Sequence, residues 1–539
     1  MELTTVGMSL EDYAASYTGP LSDIWSIQPD NGGYQVTFPN GATAAIRGAD
    51  TDWAFQFPTD LATSRLWLHS LTYAPYLYWD HGDWATTAAI FASYEAYFTR
   101  EQSRPDYVPM NSLDHAHAAQ LLAVSAVYAS LVARGELYPE RQEVLVRFVE
   151  VVGRSALSEG MIKFNNHGMM LTRALAHVAF VFQGVSDIAS DCGRSGVEEF
   201  DRIIQAAFDD NGIVNENTPA YQILYMRVVD TMITFLRRTA LQPEYVQIWE
   251  SLMSRAKDSL ALQLFSDGKV PPIGDDAGGV SPYPSTLGEL YSPSNGLFVR
   301  KTETSYVSII SGYRGVVHKH LDDTSVRLQH KNVDLVIDAG LLTYDASDKV
   351  GVAIVSQRGH SGLYFPRFDH VRPIDAFLVK PPRQYSWIDR RVDLLGHEEV
   401  ACGYVVDGAY QAERLYTFLN DSTIFITDSF SAPDEEQAIQ RFLFPGNAEI
   451  AQRNGSLEVV VGDAKLVLWT EPTSTIRFHL GSGGDMPKGW RAVKFYESEP
   501  CWSVEISAAA ARSSIRSAIA FGDADQDITL PVEARSYWS

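Results

Sequence analysis

Cysteine is scarce in this chain, which contains only 3 cysteines in 539 residues. Cys192, Cys402 and Cys501 lie far apart, are odd in number and form no C-x-x-C pair. We therefore expect neither a framework of disulfide bonds nor a zinc site built from thiolates. Low-complexity tracts are also lacking, and hydrophobic residues make up 45% of the chain against 20% charged residues. This balance excludes a disordered or fibrous protein and indicates globular domains.

Positive charge is also in short supply. The chain has 43 Lys and Arg residues against 67 Asp and Glu residues, which gives a formal net charge of -24. Because binding to nucleic acid needs a basic surface that neutralises phosphates, a nucleic-acid partner is not expected. An anionic ligand would need a local basic pocket.

A long apolar stretch of the kind that crosses a membrane is missing from the sequence. The first residues, MELTTVGMSLEDYAASYTGP, lack the basic segment and apolar run of a signal peptide. We therefore expect no membrane association. The expected location is the cytoplasm for the chain as it stands, and the periplasm or the exterior if a leader has been removed.

The length of the chain exceeds one ordinary core, so two or three domains are expected. Residues 1–50 contain alternating apolar positions on either side of Asn40-Gly41, a pattern typical of a small β-hairpin. From residue 51 to 285 the apolar residues recur with a helical period, and short loops containing Gly or Pro separate the helices. Two apolar stripes illustrate this period: Leu171, Ala174, Leu175, Val178 and Phe182, and Val197, Phe200, Ile204, Ala207 and Phe208.

The helical period ends at a segment dense in Gly, Pro and Asp, DGKVPPIGDDAGGVSPYPS. Residues 286–539 are instead typical of strands, as in LEVVVGDAKLVLW, where alternating apolar residues lead to a turn at Gly462-Asp463. The sequence therefore predicts a multidomain α+β protein, with a helical domain followed by an antiparallel β-sandwich.

The most unusual short pattern is HKHLDD, residues 318–323, because the chain has only 13 histidines. Two strands that meet near Lys331-Asn332 would place Ser325 opposite Asp338, which brings His318 and His320 close to that aspartate. Imidazole and carboxylate are ordinary zinc ligands, and His360 could complete a set of three. A solvated loop with hydrogen-bonded histidines is the alternative.

Two further patterns lie in the helical half. In KFNNHGMML, Asn165, Asn166 and His167 stand directly before an amphipathic helix. Either asparagine could cap that helix, or the polar residues could face a cleft at the helix start, where backbone N–H groups favour an anion. In NENTPAYQILY, Tyr221 follows Pro219 on the first turn of a helix and is the tyrosine closer to the loop.

Taken in order, these patterns resemble one family of enzymes. The succession N-N-H-G, E-N-T-P-A-Y, G-D-D, H-x-H-x-D-x-x-S with D-A-G, and R-x-H-S is similar to that of the heparinase II/III-like polysaccharide lyases, which include heparinases and oligoalginate lyases. The resemblance runs from about residue 50 to residue 430. It implies an incomplete (α/α) toroid followed by a β-sandwich, with the active site in the cleft between them.

The resemblance also implies roles for individual residues. Asn166 and His167 match the pair that neutralises the carboxylate of the substrate, Tyr221 matches the catalytic tyrosine, and His318 matches the catalytic histidine. His320, Asp338 and His360 match the ligands of a structural Zn²⁺ or similar divalent ion. Gln222 and Ser361 depart from the pattern, since many relatives have His and Asn there.

Three residues beside these patterns are candidates for substrate binding. Arg314 and Arg358 flank the motif histidines and could offset the acidity of the protein for a polyanionic chain, unless they are ordinary surface arginines. Glu216 lies in the loop before Tyr221. The expected partner is an anionic polysaccharide or oligosaccharide, and the sequence leaves the oligomeric state open.

The residue types suit β-elimination from a uronic acid. The C5 proton is only weakly acidic while the adjacent carboxylate is charged, so Asn and His donors can stabilise the developing enolate. Tyr and His can then supply the acid and the base. A uronyl C5-epimerase of similar fold and a non-catalytic glycan-binding or capsule-assembly protein are the alternatives. A glycoside hydrolase would need a separated carboxylate pair, which Asp275-Asp276 and Asp322-Asp323 do not clearly supply.

Overall fold

The computed structural model describes residues 8–16, 26–58, 61–110, 112–369, 384–433, 436–453, 455–508 and 513–538. These residues pack as two compact units. The first contains the described residues up to Ala207 together with Arg227–Ser251, and the second contains Phe208–Met226 and the described residues from Leu252 onward. The sequence-predicted domain boundaries at residues 50 and 285 stay a prediction. Residues 1–7 and 17–25 of the predicted N-terminal segment lie outside the described part of the chain.

The first half of the described chain is mainly helical. Its helices are α1 (Leu10–Ala15), α2 (Leu61–Ser70), α3 (Ala74–His81), α4 (Trp84–Gln102), α5 (Leu113–Ala133), α6 (Pro139–Ala156), α7 (Asn166–Val181), α8 (Ala189–Ala207), α9 (Pro219–Thr239) and α10 (Tyr245–Gln263). A sheet of three strands, β1 (Ser26–Asp30), β2 (Gly33–Thr37) and β3 (Thr43–Ile46), precedes α2. β2 and β3 form the hairpin predicted around Asn40-Gly41.

Helix pairing in the first unit follows from the two apolar stripes identified in the sequence. α7 packs on α8 and on α5. Every residue of both predicted stripes is buried. α5 is long and apolar enough to cross a membrane by length and composition, with a mean hydropathy of 1.5, but 78% of that window is buried inside the protein. It is packed as a core helix of this unit.

The second half of the described chain is built from antiparallel strands and one further helix. Its strands are β4 (Lys269–Val270), β5 (Gly279–Val280), β6 (Gly288–Ser292), β7 (Leu297–Lys301), β8 (Ser305–Ile310), β9 (Ser325–His330), β10 (Val333–Val336), β11 (Leu363–Tyr364), β12 (Gln384–Val392), β13 (Glu398–Val406), β14 (Tyr410–Asn420), β15 (Thr423–Ser431), β16 (Ile439–Phe444), β17 (Glu449–Arg453), β18 (Ser456–Val461), β19 (Ala464–Thr470), β20 (Thr475–Leu480), β21 (Trp490–Lys494), β22 (Glu497–Pro500), β23 (Trp502–Ser507) and β24 (Ser514–Asp523). The helix is α11 (Lys349–Val355).

The strands form a sheet of eight, ordered β12-β13-β14-β15-β24-β19-β18-β17, a sheet of five, ordered β10-β9-β8-β7-β6, and a sheet of four, ordered β11-β16-β23-β20. β4-β5 and β21-β22 form separate pairs. One apolar core joins residues of these three larger sheets, including Phe298, Val326, Phe442 and Ile519. The sequence predicted this order, in which the helices come first along the chain and the antiparallel strands follow.

The hairpin between β9 and β10 carries a correction. Lys331 and Asn332 form its turn, with φ angles of 48° and 65°, as the sequence predicted. However, the register shifts between Asp334 and Val336, and β10 ends before Asp338. Ser325 pairs with Ile310 of β8 on its other side. The predicted pairing of Ser325 with Asp338 is therefore wrong, because a bulge breaks the pairing that a straight hairpin would continue.

Candidate active site

The loop between β8 and β9 holds His318 in an unusual backbone conformation. His318 has a φ angle of 57°, in the left-handed region that costs a non-glycine residue free energy. Asn217, with a φ angle of 59°, donates through Nδ2 to the carbonyl oxygens of Gly315 at 2.7 Å and Val317 at 2.8 Å. These bonds fix the loop on either side of Val316 and so hold His318 in place.

Gly274, of the G-D-D pattern, allows a third segment to approach this loop. A Cβ atom at Gly274 would lie 2.8 Å from the carbonyl oxygen of Asn217 and 3.0 Å from that of His318. Only glycine fits such a close approach, and its φ angle of 62° also favours glycine. Asp275 is thereby brought to the histidines.

Tyr221 lies on the first turn of α9, directly over His318. The two rings stack with centroids 3.7 Å apart and an interplanar angle of 24°. The Tyr221 hydroxyl is 3.3 Å from the hydroxyl of Tyr344. The structure therefore brings together the two residues to which the resemblance gives proton-transfer roles.

Glu216 lies behind His318 and is almost fully buried, with an exposed fraction of 2%. Its Oε2 is 2.6 Å from His318 Nδ1, and its Oε1 accepts a hydrogen bond from the hydroxyl of Tyr225 at 2.6 Å. The angle between these two groups is too poor for a hydrogen bond, so the carboxylate acts on His318 by charge: it favours a proton on the near Nδ1 and leaves the lone pair of Nε2 for other chemistry. The position of Glu216 thus suits orientation of His318 better than the substrate contact that the sequence suggested.

Acidic groups shape the electrostatics of this site. Asp275 Oδ1 is 2.9 Å from His320 Nε2, and its Oδ2 is 3.9 Å from His318 Nε2. Although burial alone would raise the pKa of Asp275, these histidines lower it below its ordinary value. Burial, together with the charge of Asp275, raises the pKa of Tyr221 to about 12. Tyr221 therefore keeps its proton at neutral pH.

A cavity of about 440 Å³ opens beside these groups. Asp275, His318, His320 and Tyr344 are among its polar lining residues. Val316, Leu341, Val352 and Val355 contribute an apolar side. The combination of apolar walls with a few convergent polar groups is typical of a small-molecule site.

The predicted metal ligands lie next to this cavity, in the same unit. His360 Nδ1 faces Asp338 Oδ2 at 2.8 Å, and the rings of His320 and His360 are 5.5 Å apart. Among the described residues, His320 Nδ1 and His360 Nε2 are buried and have no hydrogen-bond partner. Each of these two histidines has one ring nitrogen beside a carboxylate and the other nitrogen free. Histidines that bind metals usually have these surroundings.

Asp338, the third predicted ligand, contacts His360. Burial alone would lower the pKa of His360, but its contact with Asp338 raises it. Asp338 thus acts here as the partner of His360, and the described residues contain no group of three or more His, Cys, Asp or Glu side chains arranged as a metal site. The two free imidazole nitrogens fit a divalent ion, whereas the full set of three is not assembled.

Asn166 and His167 lie at the start of α7, in the first unit. Asn165 is the N-cap, and its side chain accepts a hydrogen bond from Gly168 N at 3.1 Å. Asn166 is half-buried, and no hydrogen bond of its side chain is found among the described residues. A Cβ atom at Gly168 would lie 1.7 Å from the carbonyl oxygen of Lys163, so the N-N-H-G turn requires glycine.

His167 belongs to a small charged cluster around Asp114. His167 Nδ1 is 3.2 Å from Asp114 Oδ1, and Lys163 Nζ is 2.8 Å from Asp114 Oδ2. Although burial alone would raise the pKa of Asp114, these two contacts lower it to about 2. His115 lies 5.0 Å from His167 between ring centroids. Lys163 and His167 both face the Asp114 carboxylate, which offsets their charge, so the cluster holds His167 in place and is not a strongly basic pocket.

The two candidate arginines have different surroundings. Arg314 is exposed on the loop that carries His318. Arg358 is buried, with an exposed fraction of 4%, and donates to the carbonyl oxygens of Asp369 and Pro487. Its guanidinium is thus committed to holding backbone segments together. The structure does not bring Arg358 to the groups around Tyr221.

Sequence reasoning missed Tyr344 and the contact of Asp275 with two histidines. Both residues stand in patterns that carried the resemblance, G-D-D and the residues just after D-A-G. No spacing rule connects either one to Tyr221, from which Tyr344 is separated by 123 positions. Only the folded chain brings them together.

Comparisons with known proteins bear on the family and the fold of this chain. Residues 293–519 match the sequence family described as "Heparinase II/III-like, C-terminal". No curated protein matches the chain. A crystal structure of heparinase III is 10% identical over 97% of this chain and 86% of its own, with a TM-score of 0.69. The heparan sulfate lyase HepC from Pedobacter heparinus is 11% identical over 96% of this chain and 88% of its own, with a TM-score of 0.64.

At such low identity these solved structures establish the fold, a helical toroid followed by a β-sandwich, as the sequence predicted. The family match is independent of them and covers most of the strand-rich half. Residues 293–519 are therefore similar to the heparinase II/III-like C-terminal family, and the chain as a whole has the fold of heparinase III.

Proposed function

We propose that the protein is a polysaccharide lyase that cleaves a uronic-acid-containing polysaccharide by β-elimination and leaves an unsaturated uronate end. The observation that carries the proposal is the stacking of Tyr221 on His318, with Glu216 behind the histidine and an open cavity beside it. This arrangement offers an acid and a base side by side without a separated carboxylate pair. The fold of heparinase III supports a polysaccharide as the substrate.

The first step of the proposed reaction is neutralisation of the uronate carboxylate. Asn166 and His167 are the residues to which the resemblance gives this role. An amide donor and an imidazole hydrogen-bond the carboxylate most strongly as charge moves onto it, which stabilises the enolate formed when the C5 proton leaves. Two observations support this assignment: the side chain of Asn166 has no hydrogen bond among the described residues, and Asp114 holds the neighbouring His167 by an ion-pair contact.

The second step moves two protons. Tyr221 donates its proton to the leaving oxygen, and its raised pKa ensures that the proton is present at neutral pH. When the C5 proton lies on the same face as the leaving oxygen, Tyr221 is the base as well: its phenolate form, which has first lost a proton to solvent, takes the C5 proton and passes that same proton to the leaving oxygen. His318 is the base for the epimeric uronate, through the Nε2 lone pair that Glu216 leaves free. One side chain cannot reach both faces of a sugar ring.

The test of the function is a screen of uronate polymers for ultraviolet absorbance. A new carbon–carbon double bond beside the carboxylate absorbs, so heparan sulfate, other glycosaminoglycans and alginate should include at least one polymer that gives a rising signal. A uronyl C5-epimerase would instead exchange the C5 proton for solvent deuterium without absorbance. No absorbance from any polymer, with deuterium uptake at C5, would replace the lyase by the epimerase.

Glu216 gives a first prediction because it acts on the reaction only through His318. Glu216→Gln should lower turnover about tenfold or more on linkages that need His318 as the base, since the neutral amide no longer fixes the imidazole tautomer. In a variant that already carries His318→Ala, the same change should have little further effect. The four rates of this double-mutant cycle are the measurement.

Glu199→Gln is the matched control, since Glu199 is a partly exposed glutamate that pairs with Arg202 in the other unit. It should leave all rates unchanged. If Glu216→Gln slows the His318→Ala variant as much as it slows the parent, Glu216 does not work through His318. The positioning role would then be wrong.

The bound ion gives a second prediction. We propose that His320 and His360 hold a divalent ion such as Zn²⁺, which when bound ties the β8–β9 loop to the segment that carries His360. Protein purified without added metal should contain about one equivalent by elemental analysis. Chelation should lower the melting temperature, and His320→Ala should abolish both the metal content and that response. Metal-free protein that is as stable as metal-bound protein would contradict the proposal.

A further inference from the structure

Three exposed aromatic side chains, Tyr344, Phe495 and Tyr496, lie together in the second unit and are here called the aromatic rim. Their exposed fractions are 57%, 40% and 49%. The ring centroids of Tyr344 and Phe495 are 5.7 Å apart, and those of Phe495 and Tyr496 are 4.2 Å apart. Contiguous exposed aromatic surface on a folded protein usually marks a place where something binds.

The turn that presents two of these rings is built against local preference. Phe495 and Tyr496 connect β21 to β22, where a two-residue hairpin turn normally uses Asn-Gly or a similar pair. Tyr496 has a φ angle of 67°, which is an outlier for an aromatic residue. Strain of this kind persists when the surrounding structure imposes it, and it clusters at binding and catalytic sites.

The turn is held against the segment that follows Asp338. The backbone N–H of Tyr496 donates to the carbonyl oxygen of Leu342 at 2.8 Å, and that of Ala492 donates to the carbonyl oxygen of Ala339 at 2.9 Å. Leu342 is two residues before Tyr344. The hairpin therefore sits in a fixed position beside Tyr344 and does not depend on the aromatic contacts alone.

The aromatic rim continues directly into the candidate active site. The hydroxyl of Tyr344 is 3.3 Å from that of Tyr221, and Tyr344 also lines the cavity beside His318. A saccharide whose leaving oxygen is within reach of Tyr221 would therefore extend over Tyr344 toward Phe495 and Tyr496. Aromatic faces pack against the apolar C–H face of a pyranose ring and leave its hydroxyl and charged groups in water.

We propose that the aromatic rim is a binding site for a neighbouring pyranose ring of the polysaccharide, one that holds the chain while Tyr221 acts on it. The inference rests on the proposed function and adds the residues that bind the chain beyond the reacting uronate. Because the contact is with the ring face, the rim recognises the stereochemistry of that ring more than its charge.

The test uses Phe495→Ala and Tyr496→Gly in the full-length chain, with the uronate polymer that the parent cleaves. Each variant should raise KM about tenfold, with a much smaller change in kcat, because a lost stacking contact weakens binding without touching the proton-transfer groups. Tyr496→Gly should also melt no lower than the parent, since glycine adopts the left-handed conformation without strain. A purely structural turn would instead show lower stability with unchanged KM.

The matched control is Leu394→Ala with Leu395→Ala, an exposed apolar pair in the hairpin between β12 and β13 of the same unit. This variant should match the parent in KM and kcat. If the parent cleaves a polymer and both rim variants keep its KM, the rim is not a saccharide site.

A parent that forms no unsaturated product would refute the proposed function and would leave the rim to be judged by binding. Affinity electrophoresis through gels that contain heparan sulfate or alginate serves this purpose. Retardation of the parent that is lost in both rim variants supports the rim as a saccharide site. Equal retardation of parent and variants, or no retardation of the parent, overturns it.

Discussion

Tyr221→Phe should lower the rate of unsaturated product formation by roughly 10²- to 10⁴-fold, the usual contribution of a positioned acid or base. The change removes a single oxygen, and the phenylalanine ring can keep its stacking on His318 at 3.7 Å. No other described group occupies the place of that hydroxyl, which faces only the hydroxyl of Tyr344. Initial rates on the best polymer from the screen are the measurement.

The loss should extend to every substrate, because Tyr221 protonates the leaving oxygen whichever face carries the C5 proton. His318→Ala should instead lower the rate on only one of the two linkage types, glucuronate-type or iduronate-type, because His318 is the base for only one face of the ring. Tyr138→Phe, which removes the hydroxyl of an exposed tyrosine in the first unit, is the control and should leave the rate unchanged. A folded Tyr221→Phe variant that works at the parental rate would refute the assignment of the acid.

Local patterns in the sequence predicted much of the secondary structure. The stripes beginning at Leu171 and Val197 are buried throughout, because residues three and four positions apart share one face of a helix whatever lies beyond it. The turns at Lys331-Asn332 and Gly462-Asp463 were predictable for a similar reason, since residues that tolerate a positive φ angle select the turn directly.

The prediction that failed assumed that a local pattern, the pairing of a regular hairpin, continues without interruption. The pairing of Ser325 with Asp338 assumed a straight hairpin, and one bulge between Asp334 and Val336 was enough to remove it. Arg358 stands beside His360 in the sequence, which left substrate binding and an ordinary surface arginine as alternatives. Its side chain instead fills a buried site between two backbone segments, which no periodicity indicates.

The candidate site illustrates the same limit. Glu216, Tyr221, Asp275, His318 and Tyr344 come from four separate stretches of the chain, and their contacts depend on tight backbone approach at Gly274. Their residue types were predictable from the resemblance, or at least visible in its motifs. The role of Glu216 as the partner of His318 was not, because it follows from a distance of 2.6 Å that only folding sets.

Three of the ten described non-glycine residues with a positive φ angle lie at or beside the candidate site. His318, Asn217 and Tyr496 all have φ angles between 57° and 67°, where residues other than glycine are uncommon. Each one presents a side chain to the active-site loop, the neighbouring segment or the aromatic rim. Strain that the fold sustains at such positions is consistent with selection for a fixed geometry over local stability.

Asn166→Ala should reduce turnover by roughly 10²- to 10³-fold, which corresponds to the 2.7 to 4 kcal/mol of barrier that one oxyanion-type donor typically contributes. The helix should be almost unaffected, because Asn166 is not the cap of α7. That role belongs to Asn165, whose side chain bonds Gly168 N at 3.1 Å. Two adjacent asparagines therefore separate catalysis from stability within one turn of the chain.

Asn165→Ala is the matched variant and should show the opposite pattern. Loss of the N-cap should cost about 1 kcal/mol of stability, seen as a lower melting temperature, with a much smaller change in rate. The measurements are the melting temperature and the turnover of both variants. We expect Asn165→Ala to have the lower melting temperature and Asn166→Ala to have the lower turnover. If Asn166→Ala melts lower but turns over like the parent, its amide only supports the helix, and the carboxylate of the substrate must be neutralised by other groups.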